Sequence, residues 1–177
     1  MGLGYRVQYL REVFLMLAGR LVHLIESNWD TITANALRHI RQEPRMTHIA
    51  GLPGAELREW GQDILQHLGF WMTQANLDEL GLRYEARGKL RFEEDVPLAE
   101  VVRALAILKA KIIDFVDQQA VEGTSTEILA KKDLTVRLGR YFDFLICHLV
   151  AGYEKALRQA ANLEAAMHPP RRQRAQS

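Results

Sequence analysis

The chain is poor in the residues that build most recognisable chemical sites. It has a single cysteine, Cys147, in 177 residues. An internal disulfide and a multi-cysteine metal cage are therefore both excluded, and the usage fits a reducing, cytoplasmic setting. Net charge is only +1. Arg171, Arg172 and Arg174 sit in a tail without acids, which leaves the rest of the chain at about −2 and gives no electrostatic case for a nucleic-acid partner. No apolar run approaches the roughly 18 residues of a membrane span. The apolar stretch VFLMLAG (Val13–Gly19) is short and bracketed by Arg11, Glu12 and Arg20, so it reads as part of an amphipathic helix rather than an export signal. No convincing period-two strand and no internal repeat occur.

Motif absences narrow the chemistry further. No Glu is followed three residues later by His, which removes the signature of ferritin-like di-iron bundles. His-Glu-x-x-His, Cys-x-x-Cys-His and paired Cys/His zinc spacings are missing as well. Gly51-Leu52-Pro53-Gly54 lacks the lysine and the preceding strand of a phosphate cradle. Cys147 adjoins His148, but neighbours on a helix point about 100° apart, so no thiolate–imidazole pair is implied and Cys147 reads as a packed residue. The acidic run Glu93-Glu94-Asp95 reads as a solvated turn, and Lys131, Lys132, Arg137 and Arg140 as a solvated face.

What the chain does have is helical periodicity. Its clearest stretch is Val96–Ala120, where Leu98, Val101, Leu105, Leu108, Ile112 and Phe115 step by three and four and Val102 and Val116 widen the row. Pro97 suits a first turn and Glu100 favours the dipole of its own helix. Before it, Tyr5–Glu26 reads as a first helix, and Ser27 or Asn28 caps a second from Trp29 to about Arg41. Two prolines and two glycines make Glu43–Gly54 a loop. A third helix spans Ala55–Gln74 with Leu57, Trp60, Ile64, His67, Leu68 and Trp71 in register, and Asn76 caps a fourth to about Phe92. A short helix after Ser125 ends near Ala130. A long last helix runs from about Asp133 to Ala166, stopped by Pro169-Pro170. The sequence thus predicts an all-α bundle of about six to seven helices. Residues 1–167 form one domain, 1–27 its N-terminal helix, and 168–177 a disordered basic tail.

Six histidines are present, of which His67 and His148 fall in apolar stripes of long helices. A lone imidazole on a greasy face is how a helical protein presents a haem ligand, and it is equally how a core histidine looks when bonded to a neighbour. Trp60 and Trp71 read as core.

Two stretches carry a resemblance. LGLRYEARGKLRFEEDVPLAEVVRALAILKAKIIDFV (Leu80–Val116) is a Gly- and Arg-rich helix, a turn, Pro-Leu and a Leu-rich helix, and RYFDFLICHLVAGYEKAL (Arg140–Leu157) has a Phe-Asp pair and a Gly-Tyr-Glu. Together they are similar to the N-terminal sensor domain of RsbR-type proteins, the RsbT co-antagonists of bacterial stressosomes, over about Leu21–Leu157. The resemblance implies a globin-like fold that dimerises, generally without haem and without enzymatic activity. In stressosome proteins this domain is followed by a STAS domain; here the sequence stops about twenty residues after Leu157, as a free-standing relative or a fragment would.

The first expectation is therefore a cytoplasmic, non-enzymatic regulatory homodimer with no cofactor, signalling to a partner protein whose identity the sequence does not give. Its seam is expected on the first helix, at Phe14, Leu17 and Leu21, because Val13 and Met16 leave that helix apolar on more than one side. The alternative is a haem-binding gas or redox sensor with His148 or His67 as proximal ligand. A nucleic-acid-binding regulator using the arginine tail ranks last, and no membrane partner is expected.

Overall fold

The computed structural model describes residues 2–72, 77–119 and 123–167, without the side chains of 2–7, 10 and 11. Asn76, residues 120–122 and the tail 168–177 lie outside the described residues, so the helix cap and the tail assigned there do too. Among the described residues eight helices and no strand occur: α1 Gly2–Ser27, α2 Trp29–Gln42, α3 Thr47–Gly51, α4 Gly54–Leu65, α5 Leu68–Trp71, α6 Leu77–Glu93, α7 Leu98–Gln118 and α8 Ser125–Met167.

The all-α class stands, but the count and three boundaries differ from the sequence reading. The segment 43–54 holds a helical turn, α3, because Met46 and Ile49 have no exposure at all and need a rigid backbone to carry them inward. The helix expected over Ala55–Gln74 breaks at Gln66–His67 into α4 and α5. The break expected near Ala130 is absent, and α8 runs unbroken for 43 residues. Its start is a capping box: the Glu127 N–H donates to Thr124 Oγ1, while the Thr124 N–H donates to Glu127 Oε2 at 2.7 Å. Neither a proline nor a β-turn signal occurs between there and Met167, so the helix continues.

The core is one contiguous cluster between α2, α4, α6, α7 and α8. Tyr84, Leu105, Phe142 and Leu145 are fully enclosed in it, and burying such a side chain contributes about 1.5–3 kcal/mol. Trp60 and Trp71 are core residues, as read. On α7 the expected row is buried at Val101, Leu105, Leu108, Ile112 and Val116, and Ala104 and Ile107 extend it. Pro97 is the N-cap of α7 rather than a first-turn residue.

The closest packing is between α6 and α8. A Cβ at Gly88 would overlap the Leu149 carbonyl, and one at Gly152 would overlap the Glu85 carbonyl. Each helix thus places a glycine against the other's backbone. Phe92 meets Tyr153 edge-on at 5.4 Å, and the Tyr153 hydroxyl donates to the Val96 carbonyl at 3.1 Å.

Glu100 stands in the first turn of its own helix and serves a second one as well. It is 8% exposed, and its Oε2 accepts the backbone N–H groups of His48 and Ile49, both at 3.0 Å, while Oε1 sits 2.8 Å from His48 Nδ1. A carboxylate on α7 therefore caps the free N–H groups of α3. Burial by itself would raise this carboxyl's pKa; the hydrogen bonds from Ile49 and His48 outweigh it and hold the group below its ordinary 4.5.

Gly88→Ala should destabilise the protein by about 2–3 kcal/mol, because the Leu149 backbone has no rotamer to yield with. Gly139→Ala should stabilise it by about 0.5–1 kcal/mol, since nothing lies within 4 Å of a Cβ there. Urea melts distinguish the two. At neutral pH, Glu100→Gln should cost about 1–3 kcal/mol. A group with a depressed folded pKa stabilises above its unfolded value of 4.5 and loses that contribution as pH falls through the folded value. Acid titration of the variant should accordingly show a shallower loss of stability below pH 4.5 than the parent does.

Candidate functional site

The residues expected to matter divide between the surface of α1 and the α6–α8 pair. α1 is anchored by Ile25 at 0% and Ala18 at 4% exposure, with Leu21 and Val22 packed against the core. Phe14, Leu17 and Leu21 are half-buried, so part of each is already used within the chain. Leu17, Leu21 and Leu24 form one wall of a groove of about 750 Å³ closed by Ala130 and Lys131 of α8. Phe14 lines a second groove of about 510 Å³ on the other flank, with Phe70, Met72 and Arg137. Between and beyond these grooves α1 shows solvent Tyr9 at 67%, Leu15 at 59% and Met16 at 59% exposure. On α1, then, the most exposed apolar side chains are Tyr9, Leu15 and Met16, with Phe14, Leu17 and Leu21 half-buried beside them.

The two histidines separate. His67 is exposed, at the break between α4 and α5, and its placing in an apolar stripe is corrected: the stripe ends at Leu65 because the helix does. His148 is half-buried on α8. Its Nδ1 lies 3.1 Å from Glu85 Oε1, its ring packs 4.4 Å from the Phe144 ring, and the other face fills the notch left by Gly81. All three ring atoms Cε1, Nδ1 and Nε2 lie within about 3 Å of where a Gly81 Cβ would stand. A carboxylate on Nδ1 suits an iron ligand, and it equally suits a core histidine bonded to a neighbour. Cys147 is exposed rather than packed. Among the described residues no group of three or more His, Cys, Asp or Glu side chains converges on a metal position, and no helix is long and apolar enough to cross a membrane.

On its other face, α6 carries a row that periodicity alone did not reveal. Arg83, Arg87 and Arg91 recur every four residues. Asp63 of α4 accepts from Arg83 at 3.0 Å and Arg87 at 2.7 Å, and Arg91, almost fully buried, pairs with Glu56 at 2.6 Å and Glu94 at 2.5 Å. Arg83 also lies over Trp71 and Arg91 over Trp60. Beneath this layer Tyr84 Oη and Trp60 Nε1 are buried beside each other without a well-formed hydrogen bond. Burial pushes the Tyr84 and Tyr141 phenols far above their ordinary range, so both stay neutral.

The elements holding this architecture, α2 through α8, coincide with a family match: residues 30–167 fit the model of the RsbT co-antagonist protein rsbRD N-terminal domain. The chain belongs to that family. The match covers most of the sequence and extends ten residues beyond the C-terminal limit of the resemblance seen in the motifs, through the exposed end of α8. Its first residue is Asp30, so α1 precedes the matched stretch. No curated protein and no solved structure matches the chain. In this chain the matched stretch is held by the glycine-mediated α6–α8 packing and by the paired arginine row. Among the motif residues that carried the resemblance, Gly88, Gly152 and Tyr153 prove to be structural: all three lie at the α6–α8 contact.

Hemin added to the purified protein should retain the absorption spectrum of free hemin. A sharp Soret band abolished by His148→Ala would instead identify that histidine as an iron ligand.

Proposed function

We propose that this chain is a non-enzymatic regulatory domain that pairs with a second copy of itself through α1 and passes a signal to a partner protein. The family supports the regulatory part, since its members are the N-terminal domains of RsbT co-antagonists in stressosome-type signalling. A partner of that kind is the switch protein named in the family's description, or its counterpart in the same pathway. A cytoplasmic location and a globin-like arrangement of the helices belong to the same reading, as does the absence of a prosthetic group.

The observation that carries the pairing is the unequal coverage of α1. One side is locked into the domain at Ala18 and Ile25, while Tyr9, Leu15 and Met16 remain in water. Large apolar residues gathered on one helix mark an interaction surface more often than residues scattered singly do. A symmetric pair would bring the same patch of each copy together. Signalling further requires that the pair have two arrangements which the signal binds unequally, because equal affinity shifts no population.

Sedimentation velocity tests the reading. The parent should sediment as a dimer, and Leu15→Glu with Met16→Glu should give a folded monomer that melts cooperatively at a temperature independent of concentration, since neither residue supports the core. Phe14→Glu or Leu17→Glu should dissociate the dimer too, but with a loss of stability, because both are half-buried within the chain. A parent that sediments as a monomer at every concentration, or a dimer unaffected by the Leu15 and Met16 substitutions, would overturn the pairing through α1.

A further inference from the structure

A cleft of about 610 Å³ lies between α2 and α4, far from the α6–α8 contact, and three arginines line it: Arg38 and Arg41 from α2 and Arg58 from α4. Elsewhere in the chain Arg83, Arg87, Arg91, Arg103, Arg137 and Arg158 each have a carboxylate within 4 Å. Among the described residues, none of the three cleft arginines does, and neither do the exposed Arg20, Arg45 and Arg140, which lie outside the cleft. Arg38 has the Asn35 amide oxygen at 3.2 Å, Arg58 lies over the Trp29 ring at 5.5 Å, and the Arg41 guanidinium rests against Gly54.

The acids that would neutralise them are engaged elsewhere. Glu56, on the first turn of α4, turns inward to Arg91, and Glu43, just past the end of α2, pairs with Arg103. Asp30 is the single carboxylate in the cleft wall, so the wall carries a net positive charge. Gathering like charges in one concave site raises the local potential, while the dipoles of the α4 start and the α2 end, which both border it, oppose each other. Gly54 contributes by omission. A Cβ there would come within 2.9 Å of Arg41 Nη2, so the glycine leaves space for the guanidinium over the cleft floor. Leu37 and Ala34 supply a short apolar strip between the charges.

We propose that the α2–α4 cleft is a binding site for a small, soluble, phosphate-bearing ligand, held by Arg38, Arg41 and Arg58. Guanidinium suits this chemistry because its forked N–H donors match two oxygens of a phosphate at once, which an ammonium cannot do. Three arginines against one carboxylate in the wall favour a ligand with more than one anionic group. The assignment is independent of pairing through α1, since no residue of α1 lines this cleft.

Calorimetric titration of the whole chain with sodium pyrophosphate, at low and constant ionic strength, tests it. Saturable binding is expected, weakened about tenfold by Arg41→Gln and by Arg58→Gln, the loss expected for one charge-assisted contact. Arg140→Gln, which removes an exposed arginine from α8, should leave the affinity unchanged. All three cleft arginines are exposed, so the variants should melt as the parent does. No heat with pyrophosphate, or equal weakening by Arg140→Gln, would overturn the site. So would flotation with phosphatidic-acid vesicles in the absence of pyrophosphate binding, which would identify a membrane surface rather than a soluble ligand as what the arginines recognise.

Discussion

Backbone contact between α6 and α8 is the constraint on which the rest of this domain depends. Gly88 and Gly152 each sit against a carbonyl of the other helix, a separation that no side chain tolerates. A glycine inside a helix gives up about 0.5–1 kcal/mol relative to alanine. The close approach offsets that loss with dispersion along the whole contact and with short Cα–H to carbonyl contacts. It also fixes the rotation of α6. With Gly81 and Gly88 turned to α8, the row Arg83, Arg87 and Arg91 must face α4, where Asp63 and Glu56 answer it. Charge pairing across that layer is thus a consequence of where two glycines point. An ion pair as buried as Arg91 with Glu56 and Glu94 adds less to stability than its short distances suggest, since desolvation consumes much of the attraction. Its larger effect is to penalise any other register, in which the buried guanidinium would be left unpaired.

The sequence disclosed helices well and their ends badly. The core row of α7 was plain because Val101, Leu105, Leu108 and Ile112 follow a 3.6-residue period without interruption. Its breadth was underestimated at Ala104 and Ile107, since α7 is covered from several sides and a single stripe is not enough. Boundaries failed where tertiary contacts outweighed local signals. The Pro- and Gly-rich segment 43–54 looked like pure loop, yet a carboxylate 52 residues away caps a helical turn within it. Conversely, His67 kept the period of α4 and still fell outside it, because periodicity does not record where a backbone kinks. The helix start read after Ser125 agrees with the capping box Thr124–Glu127; what local signals did not show is that the helix continues past Ala130.

The candidate site was only partly legible. An apolar excess on α1 was visible from Val13 and Met16, but which residues face the core depends on how α1 lies across α8, and that is a tertiary fact. Likewise His148 advertised itself as a ligand by its apolar neighbours; the Gly81 notch that holds its ring comes from a helix more than sixty residues earlier. The arginine row on α6 was harder to see. Four-residue spacing of charges ordinarily means a solvated face, and only the partners on α4 distinguish a buried layer from a wet one. The α2–α4 cleft was illegible for a related reason: it assembles Arg58 with Arg38 and Arg41 across a gap in sequence that no local pattern spans.

One property of α8 has a mechanical consequence. It is gripped by α6 near Gly152, and from Leu157 to Met167 every residue is exposed. From that grip to Met167 the helix extends about 22 Å, so a tilt of about 5° at the contact would carry its tip roughly 2 Å sideways. Any slippage between α6 and α8 at this contact would therefore be multiplied along the free length of α8.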